Sequence, residues 1–240
     1  MNRHTWTESL IAALMLIAGL LIGVWLAAPP APVAGDATAA APPPRGEAAT
    51  MAEPEPLGSF ERVEVALGRT LRGLLALPCP AAGTPEFMHL RMALTALTGG
   101  RASALQRRLV EDGRLCQSVS SELTESVARG AASLALEVLP GVGREAVESA
   151  LLEEFERARR DLGREAVERA RRLLLADWLF SHETIEARGA TIGAGLALFG
   201  ADYARRQHEA LLAASLEDVQ RAARRYLDPQ VGGVLGWAGD

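Results

Sequence analysis

The spacing of hydrophobic positions changes along this chain, and each spacing predicts a different element. Two apolar stretches, 60–67 and 71–77, flank Gly68, and the second ends at the breaker Pro78-Cys79-Pro80, so we predict two strands of one sheet. From 85 to 99 apolar residues recur at three- and four-residue steps, which predicts a helix that ends at Gly99-Gly100. A short amphipathic helix over 102–111 and two strands, 115–123 and 131–138, follow.

The rest of the chain has mainly helical spacing. Helices are predicted over 145–161, 164–180, 184–199 and 201–213, and a last helix begins at the N-cap Ser215 with Glu217 and Asp218 in its first turn. That helix ends near Leu227, before Pro229, and 231–237 can form a final strand. Strands, then helices, then a strand predict an α+β fold in which helices cover one face of a mostly antiparallel sheet.

The N-terminal region contains an uncharged apolar run over 9–28 that is long enough to cross a bilayer as one helix. Arg3 precedes the run and no basic residue follows until Arg45, so we expect residues 1–8 in the cytoplasm. The main domain is then expected on the extracytoplasmic side, in the periplasm of an inner membrane. The alternative is a cleaved signal peptide, since small residues occur at 25–27 and 33–35, but the run is longer than a typical signal core.

Residues 29–57 are dominated by proline, alanine and glycine and contain almost no large apolar side chain. Such a segment cannot bury enough surface to fold, so we predict a disordered tether. The predicted organisation is therefore a cytoplasmic N-terminus (1–8), a transmembrane anchor (9–28), a tether (29–57) and a folded domain (58–240).

Composition adds constraints on possible partners. The hydrophobic fraction of 49% is ample for a core, the formal net charge is −5, and all 25 basic side chains are arginine. An acidic chain is not typical of a nucleic-acid binder. Arginines alternate with acidic residues in two predicted helices, which favours exposed i,i+4 ion pairs over a site for an anionic partner; they are Arg157, Arg159, Arg160, Arg169, Arg171 and Arg172.

The sequence lacks the residues that a hydrolytic zinc site needs. Its four histidines are scattered, and no His-x-x-Glu-His or His-x-x-His occurs, so we predict no metal site and no cofactor. His182 and Glu186 would share a helical face, as a zinc pair or, in the plainer interpretation, as solvated polar groups. Cys79 and Cys116 lack metal-ligand spacing and are either free buried thiols or a disulfide.

Several segments, in order and at matching distances, carry a resemblance to a known family. They are 71–79 (LRGLLALPC), 94–109 (LTALTGGRASALQRRL), 115–121 (LCQSVSS), 138–154 (VLPGVGREAVESALLEE), 164–171 (REAVERAR) and 215–227 (SLEDVQRAARRYL). Together they resemble the second, non-metal repeat of the pitrilysin/insulinase family of zinc peptidases, over about residues 60–239. The metal-binding repeat has no counterpart in the sequence.

The resemblance implies a role for two positions. In active relatives an arginine and a tyrosine of this repeat contact the substrate and the developing oxyanion. Val110 stands at the arginine position and Gln117 at the tyrosine position, so this helper pair is degenerate and no catalytic residue is expected. Arg108 or Arg114 could substitute if the register slips by a few residues.

Three functions follow from the resemblance, and the sequence does not choose among them. The leading hypothesis is a membrane-tethered, non-catalytic pseudo-peptidase that binds another protein, either a family relative or a second copy of itself. A lone repeat exposes surfaces that its partner normally covers, and we expect 184–199 and the closing strand 231–237 to contribute to that interface. The alternatives are an accessory subunit of a zinc peptidase whose His-x-x-Glu-His lies on a partner chain, and a structural core-type subunit of a membrane complex.

Overall fold

The computed structural model describes residues 60–65, 70–128 and 130–239, which belong to one compact unit of the chain. The predicted N-terminus (1–8), anchor (9–28) and tether (29–57) lie outside the described residues and remain predictions. Within the described ranges, no helix combines the length and the apolar character that crossing a membrane requires.

The architecture is α+β, with a mixed five-stranded sheet. The strands are β1 (Glu61–Val65), β2 (Arg72–Cys79), β3 (Cys116–Leu123), β4 (Gly130–Val138) and β5 (Val234–Ala238), in the order β1-β5-β2-β4-β3. The pairings of β2 with β4, β2 with β5 and β3 with β4 are antiparallel, whereas β1 and β5 are parallel. The prediction of a mostly antiparallel sheet is correct for three of the four pairings.

The position of β5 contradicts one expectation. The closing strand was expected to contribute to an interface with a partner, but β5 lies between β1 and β2 and pairs with both. Its backbone groups are therefore used on both sides, and it cannot take up another strand. The outer strands are β1 and β3, and β1 is short and charged. Arg62 and Glu64 of β1 form ion pairs with Glu148 (2.5 Å) and Arg144 (2.6 Å).

Seven helices occupy the described part of the chain. They are α1 (Pro85–Thr98), α2 (Gln106–Glu111), α3 (Arg144–Arg160), α4 (Arg164–Ser181), α5 (Ile185–Leu198), α6 (Tyr203–Ala213) and α7 (Leu216–Tyr226). Six correspond to predicted helices. The predicted helix over 102–111 is wrong in type, because α2 is a six-residue π-helix whose Asp112 amide donates to the carbonyl of Arg107.

The core lies between the sheet and the helix layer. Alternate residues of β2 are buried, including Leu75, Leu77 and Cys79, as the pleat of a strand with one covered face requires. The helix α1 supplies Phe87, Leu90 and six further buried side chains, and it packs against α4, α6 and α7. This central helix holds α4 and α6 in place, and α6 in turn packs against α5.

Arginine side chains also complete several helix ends. Arg169 donates to the carbonyl of Ala96 in the last turn of α1, and Arg206 donates to Phe199 at the end of α5. Arg171 donates to the carbonyls of Leu211, Leu212 and Ala214 at the end of α6. The terminal carbonyls of a helix have no intrahelical partner, so a guanidinium fork suits them.

The prediction of i,i+4 pairs is therefore only partly correct. Arg160 does pair with Glu156 four residues earlier. Arg157, Arg159 and Arg171 instead bind acids three residues away. Arg159 also binds Asp228 at 2.6 Å.

Candidate functional site

Two regions bear on function, and the first is the segment to which the sequence resemblance assigns the helper positions Val110 and Gln117. The π-helix α2 leads into β3 through a turn in which the amide of Leu115 donates to the carbonyl of Leu109 at 2.8 Å. Between Cys116 and Ser118 the register of β3 against β4 shifts, so Gln117 is the additional residue of a β-bulge. Both irregularities re-aim the side chains that follow them, and both recur at functional sites of proteins.

The helper positions carry side chains with little catalytic capacity. Val110 lies half-buried on α2 and packs against the core, and Gln117 is exposed at the bulge. A valine donates no hydrogen bond, and a neutral amide stabilises an oxyanion less than a positioned phenol or guanidinium does. The structure therefore places both residues in the segment that the sequence indicated, and the assignment of a degenerate helper pair stays a prediction.

The two arginines that could substitute are placed differently. Arg108 donates to Glu153 of α3 at 3.1 Å, so its guanidinium is already engaged. Arg114 is exposed and has a φ of 49°, the left-handed conformation that a non-glycine residue rarely adopts. Holding an arginine there costs about 1–2 kcal/mol relative to a right-handed residue.

The predicted pairing of His182 with Glu186 on one helical face is wrong. His182 is the C-cap of α4, and Glu186 lies in the first turn of α5, so a helix boundary separates them. The Nδ1 of His182 is 2.7 Å from the carbonyl oxygen of Trp178, and its ring stacks on that indole. His182 therefore closes the end of α4, and within the described residues no group of three or more potential metal ligands occurs.

The two cysteines are free and buried, as the first of the two sequence interpretations predicted. Cys79 of β2 pairs with Gly130 at the start of β4, and Cys116 of β3 pairs with Val138 at the end of β4. The two thiols therefore lie near opposite ends of β4. Burial raises the pKa of Cys79 to about 12 and that of Cys116 to about 11. Both thiols therefore stay protonated and unreactive at neutral pH.

The second region is an exposed apolar stretch that we call the α5 surface. It consists of six large side chains between 179 and 198, each more than half exposed: Leu179, Phe180, Ile185, Ile192, Leu196 and Leu198. The helix α5 has only two charged residues, Glu186 and Arg188. So many exposed large apolar side chains with so few charges are typical of an interaction site rather than of a solvated helix.

Among the described residues, the helix α5 is anchored mainly on the side of α6. Thr184 caps its N-terminus by accepting from the amide of Ala187 at 3.1 Å, and Arg206 binds its last carbonyl. Gly195 lies against Tyr203 of α6, whose ring stacks on Phe199 at 4.3 Å. The side of α5 that points away from α6 has no comparable packing in the described part of the chain.

Sequence reasoning identified α5 as an interface candidate but missed Leu179 and Phe180. Their signal was present, because Val167, Ala170 and Trp178 lie on one face of α4 and leave both residues off that face. An apolar pair at the end of a helix and off its buried face predicts exposure, which the structure shows for both.

Comparisons with known proteins agree on the type of domain. The family model described as "Peptidase M16 inactive domain" matches residues 36–174. A crystal structure of a candidate zinc protease from Bordetella pertussis Tohama I is 27% identical, with a TM-score of 0.63 over 71% of this chain and 94% of that one. The inactive peptidase domain of a candidate zinc protease from Bordetella parapertussis is 26% identical, with a TM-score of 0.66 over 71% of this chain and 90% of that one.

A more distant structure shares the fold. A protease from Helicobacter pylori is 18% identical, with a TM-score of 0.68 over 79% of this chain but only 46% of that one, so the chain spans less than half of that protein. No curated protein matches the sequence.

These findings define the class first: the chain contains a non-catalytic, pseudo-peptidase domain of α+β fold. It belongs to the peptidase M16 family, that of pitrilysin and insulinase, and matches the inactive C-terminal repeat. The resemblance stated from the sequence is therefore confirmed.

Proposed function

We propose that this chain is a membrane-tethered, non-catalytic peptidase-fold protein that acts by binding another protein through the α5 surface. The observation that carries the proposal is the exposure of six large apolar side chains at the end of α4 and along α5, a helix whose main packing among the described residues is against α6. In a domain without catalytic residues, such a surface is the feature best suited to specific binding of another protein.

The energetics support a protein partner. Covering about half of six large apolar side chains would contribute roughly 5–9 kcal/mol before the costs of association. Anionic lipid is a poorer fit, because interfacial helices usually carry lysine or arginine on their polar face. Here Arg188 is the only basic residue of α5, and it donates to the carbonyl of His182 at 2.6 Å.

The anchor and the tether are part of the proposal because the uncharged run 9–28 and the Pro/Ala-rich segment 29–57 precede the domain. A tether of this length spans roughly 30 Å as a flexible coil and at most about 90 Å if its proline-rich stretches are extended, which in both cases would keep the domain near the membrane. The domain would then meet partners in the periplasm at high effective concentration.

A second candidate function is an accessory subunit that completes the chamber of a zinc peptidase encoded on a partner chain. The observation in its favour is the irregular backbone around Val110 and Gln117, the two predicted helper positions, where a π-helix and a β-bulge occur. The third hypothesis, a structural subunit of a membrane complex, has no separate observation in its favour and stays a prediction.

Site-specific photo-cross-linking tests the proposed function. A photoreactive residue replaces Ile192 on the α5 surface or, as a matched control, Val127 in the turn between β3 and β4, where the valine is 59% exposed. After irradiation of intact membranes, we expect one defined adduct from position 192 and none from 127. Equal labelling from both positions, or none from 192, would contradict the proposal.

A second experiment separates the two candidates. The full chain is assayed for bound zinc and for cleavage of an unstructured peptide, alone and with any protein recovered from the cross-link. The proposed function predicts no cleavage by the chain alone and no zinc that depends on His182. Cleavage that requires both proteins would favour the accessory subunit.

A further inference from the structure

The α5 surface has a regular geometry that limits what can cover it. Ile185, Ile192 and Leu196 follow one another at seven and four residues, so their side chains lie on one side of the helix, within about 40° of each other. All three are more than half exposed. Gly189 lies on the same side, and a Cβ added there would meet nothing within 4 Å.

This stripe is complementary to itself when two copies run antiparallel. In the register that places Ile192 opposite Gly189 of the second copy, Ile185 faces Leu196 of the second copy, and each contact occurs twice. The large side chain of Ile192 then packs over Gly189, which has no side chain. At each end of the contact, the apolar side chains of Ile185 and Leu196 pack against each other. Glu186 and Arg188 lie on opposite flanks of the stripe and so leave its centre uncharged.

The available area fits a contact of ordinary size. A standard interface buries about 800 Å² per partner, of which somewhat more than half is apolar. A fully exposed large aliphatic side chain corresponds to roughly 60–120 Å² of apolar area. Leu198 follows Leu196 by two residues and so lies on the opposite side of the helix, outside this contact. The three side chains of the stripe, together with Leu179, Phe180 and the exposed alanines and glycines of the helix, approach the required apolar share, whereas the stripe alone would fall short.

We infer that the protein which covers the α5 surface is a second copy of this chain, held in a two-fold, antiparallel α5–α5 contact. The inference rests on the proposed function, which it deepens by naming the partner. The second copy seats Ile192 over Gly189, and Leu179 and Phe180 at the end of α4 extend the contact beyond the helix pair.

The first test measures the oligomeric state of the compact unit, residues 50–240, by sedimentation velocity over a concentration series. We expect a reversible dimer. Because the contact is two-fold, Ile192→Glu places one charge from each copy in it. The substitution should raise the dimer dissociation constant at least about 100-fold. Val127→Glu, a valine of similar exposure outside the α5 surface, should leave that constant within about two-fold.

The second test uses the full chain in membranes. The native Cys79 and Cys116 are buried, so Ile192→Cys introduces one reactive thiol per chain. In the inferred register the two introduced thiols lie roughly 10 Å apart, within reach of a short bis-maleimide. A cross-linked homodimer is expected from Ile192→Cys and not from the matched Val127→Cys.

The outcomes separate this inference from the proposed function. A monomer in the concentration series, without a homodimer cross-link in membranes, overturns the second copy as partner. If photo-cross-linking at Ile192 then gives an adduct with a different protein, the proposed function stands without the inference. If position 192 gives no adduct, both fail.

Discussion

Removing the guanidinium of Arg171 should destabilise the domain more than any other single arginine replacement in α4. The side chain is only 16% exposed and donates to three carbonyls at the end of α6, with distances of 2.5 Å to Leu211, 3.1 Å to Leu212 and 2.6 Å to Ala214. Arg171→Met keeps the aliphatic stem but leaves those carbonyls without their cationic donor. Leu211 and Ala214 are buried, so water replaces the donor poorly there.

The magnitude follows from the type of bond. A hydrogen bond to a charged group contributes about 1.5–3 kcal/mol, and bonds that share one guanidinium are not additive. We therefore expect Arg171→Met to lower the free energy of unfolding by about 3 kcal/mol, which corresponds to a fall in Tm of about 6–12 °C for a domain of this size. Arg171→Lys keeps the charge but not the planar fork, and should cost about half as much.

Urea unfolding of residues 50–240, followed by far-UV circular dichroism, measures these differences. The adjacent Arg172 is exposed, so Arg172→Met is the matched control and should change the free energy of unfolding by less than about 0.5 kcal/mol. Equal effects at positions 171 and 172, with unchanged m-values, would refute the argument that Arg171 closes α6.

Three further predictions concern the backbone, a cap and the thiols. Arg114→Gly should raise the free energy of unfolding by about 0.5–1 kcal/mol in the same assay, because glycine adopts the left-handed φ of 49° without strain; a loss would contradict this. Ser215→Ala removes a capping box and should cost about 1 kcal/mol near pH 7. The hydrogen bond from Ser215 lowers the pKa of Asp218 in the folded protein. The cap therefore stabilises the domain fully above the unfolded-state pKa of Asp218, and the cost of Ser215→Ala should decrease as the pH falls through the folded-state pKa. A cost of Ser215→Ala that is constant with pH would refute this link between the cap and Asp218. Cys79 and Cys116 should react with a thiol reagent only in urea, and rapid labelling of native protein at pH 8 would contradict their burial.

The sequence predicted those parts of the fold that depend on local periodicity. Helix positions and the Ser215 cap followed from spacing and from N-cap chemistry, which act within a few residues. The place of β5 between β1 and β2 did not follow, because strand order depends on contacts between residues about 170 positions apart. The bulge at Gln117 and the π-helix before it also leave no distinct periodic signal.

The candidate site was predictable in outline. An uncharged, Gly- and Ala-rich helix pointed to α5 as an interface. The exposure of Leu179 and Phe180 beside α5 depends on where α4 ends. The residue that ends α4 is His182, which binds the carbonyl of Trp178 and stacks on the Trp178 ring. Trp178 also stacks on His208 of α6, a tertiary contact that local spacing does not reveal. The pairing of His182 with Glu186 on one helix was therefore the reasonable and incorrect expectation.

The central claim is that the α5 surface is covered by protein in its native setting. Hydrogen–deuterium exchange tests this directly when the amides of α5 are compared between the full chain in membranes and residues 50–240 at low concentration. The buried helix α1 serves as the internal control. We predict slower exchange of Ile185–Leu198 in membranes, with unchanged exchange of Pro85–Thr98. Equal exchange of α5 in both preparations would contradict the account.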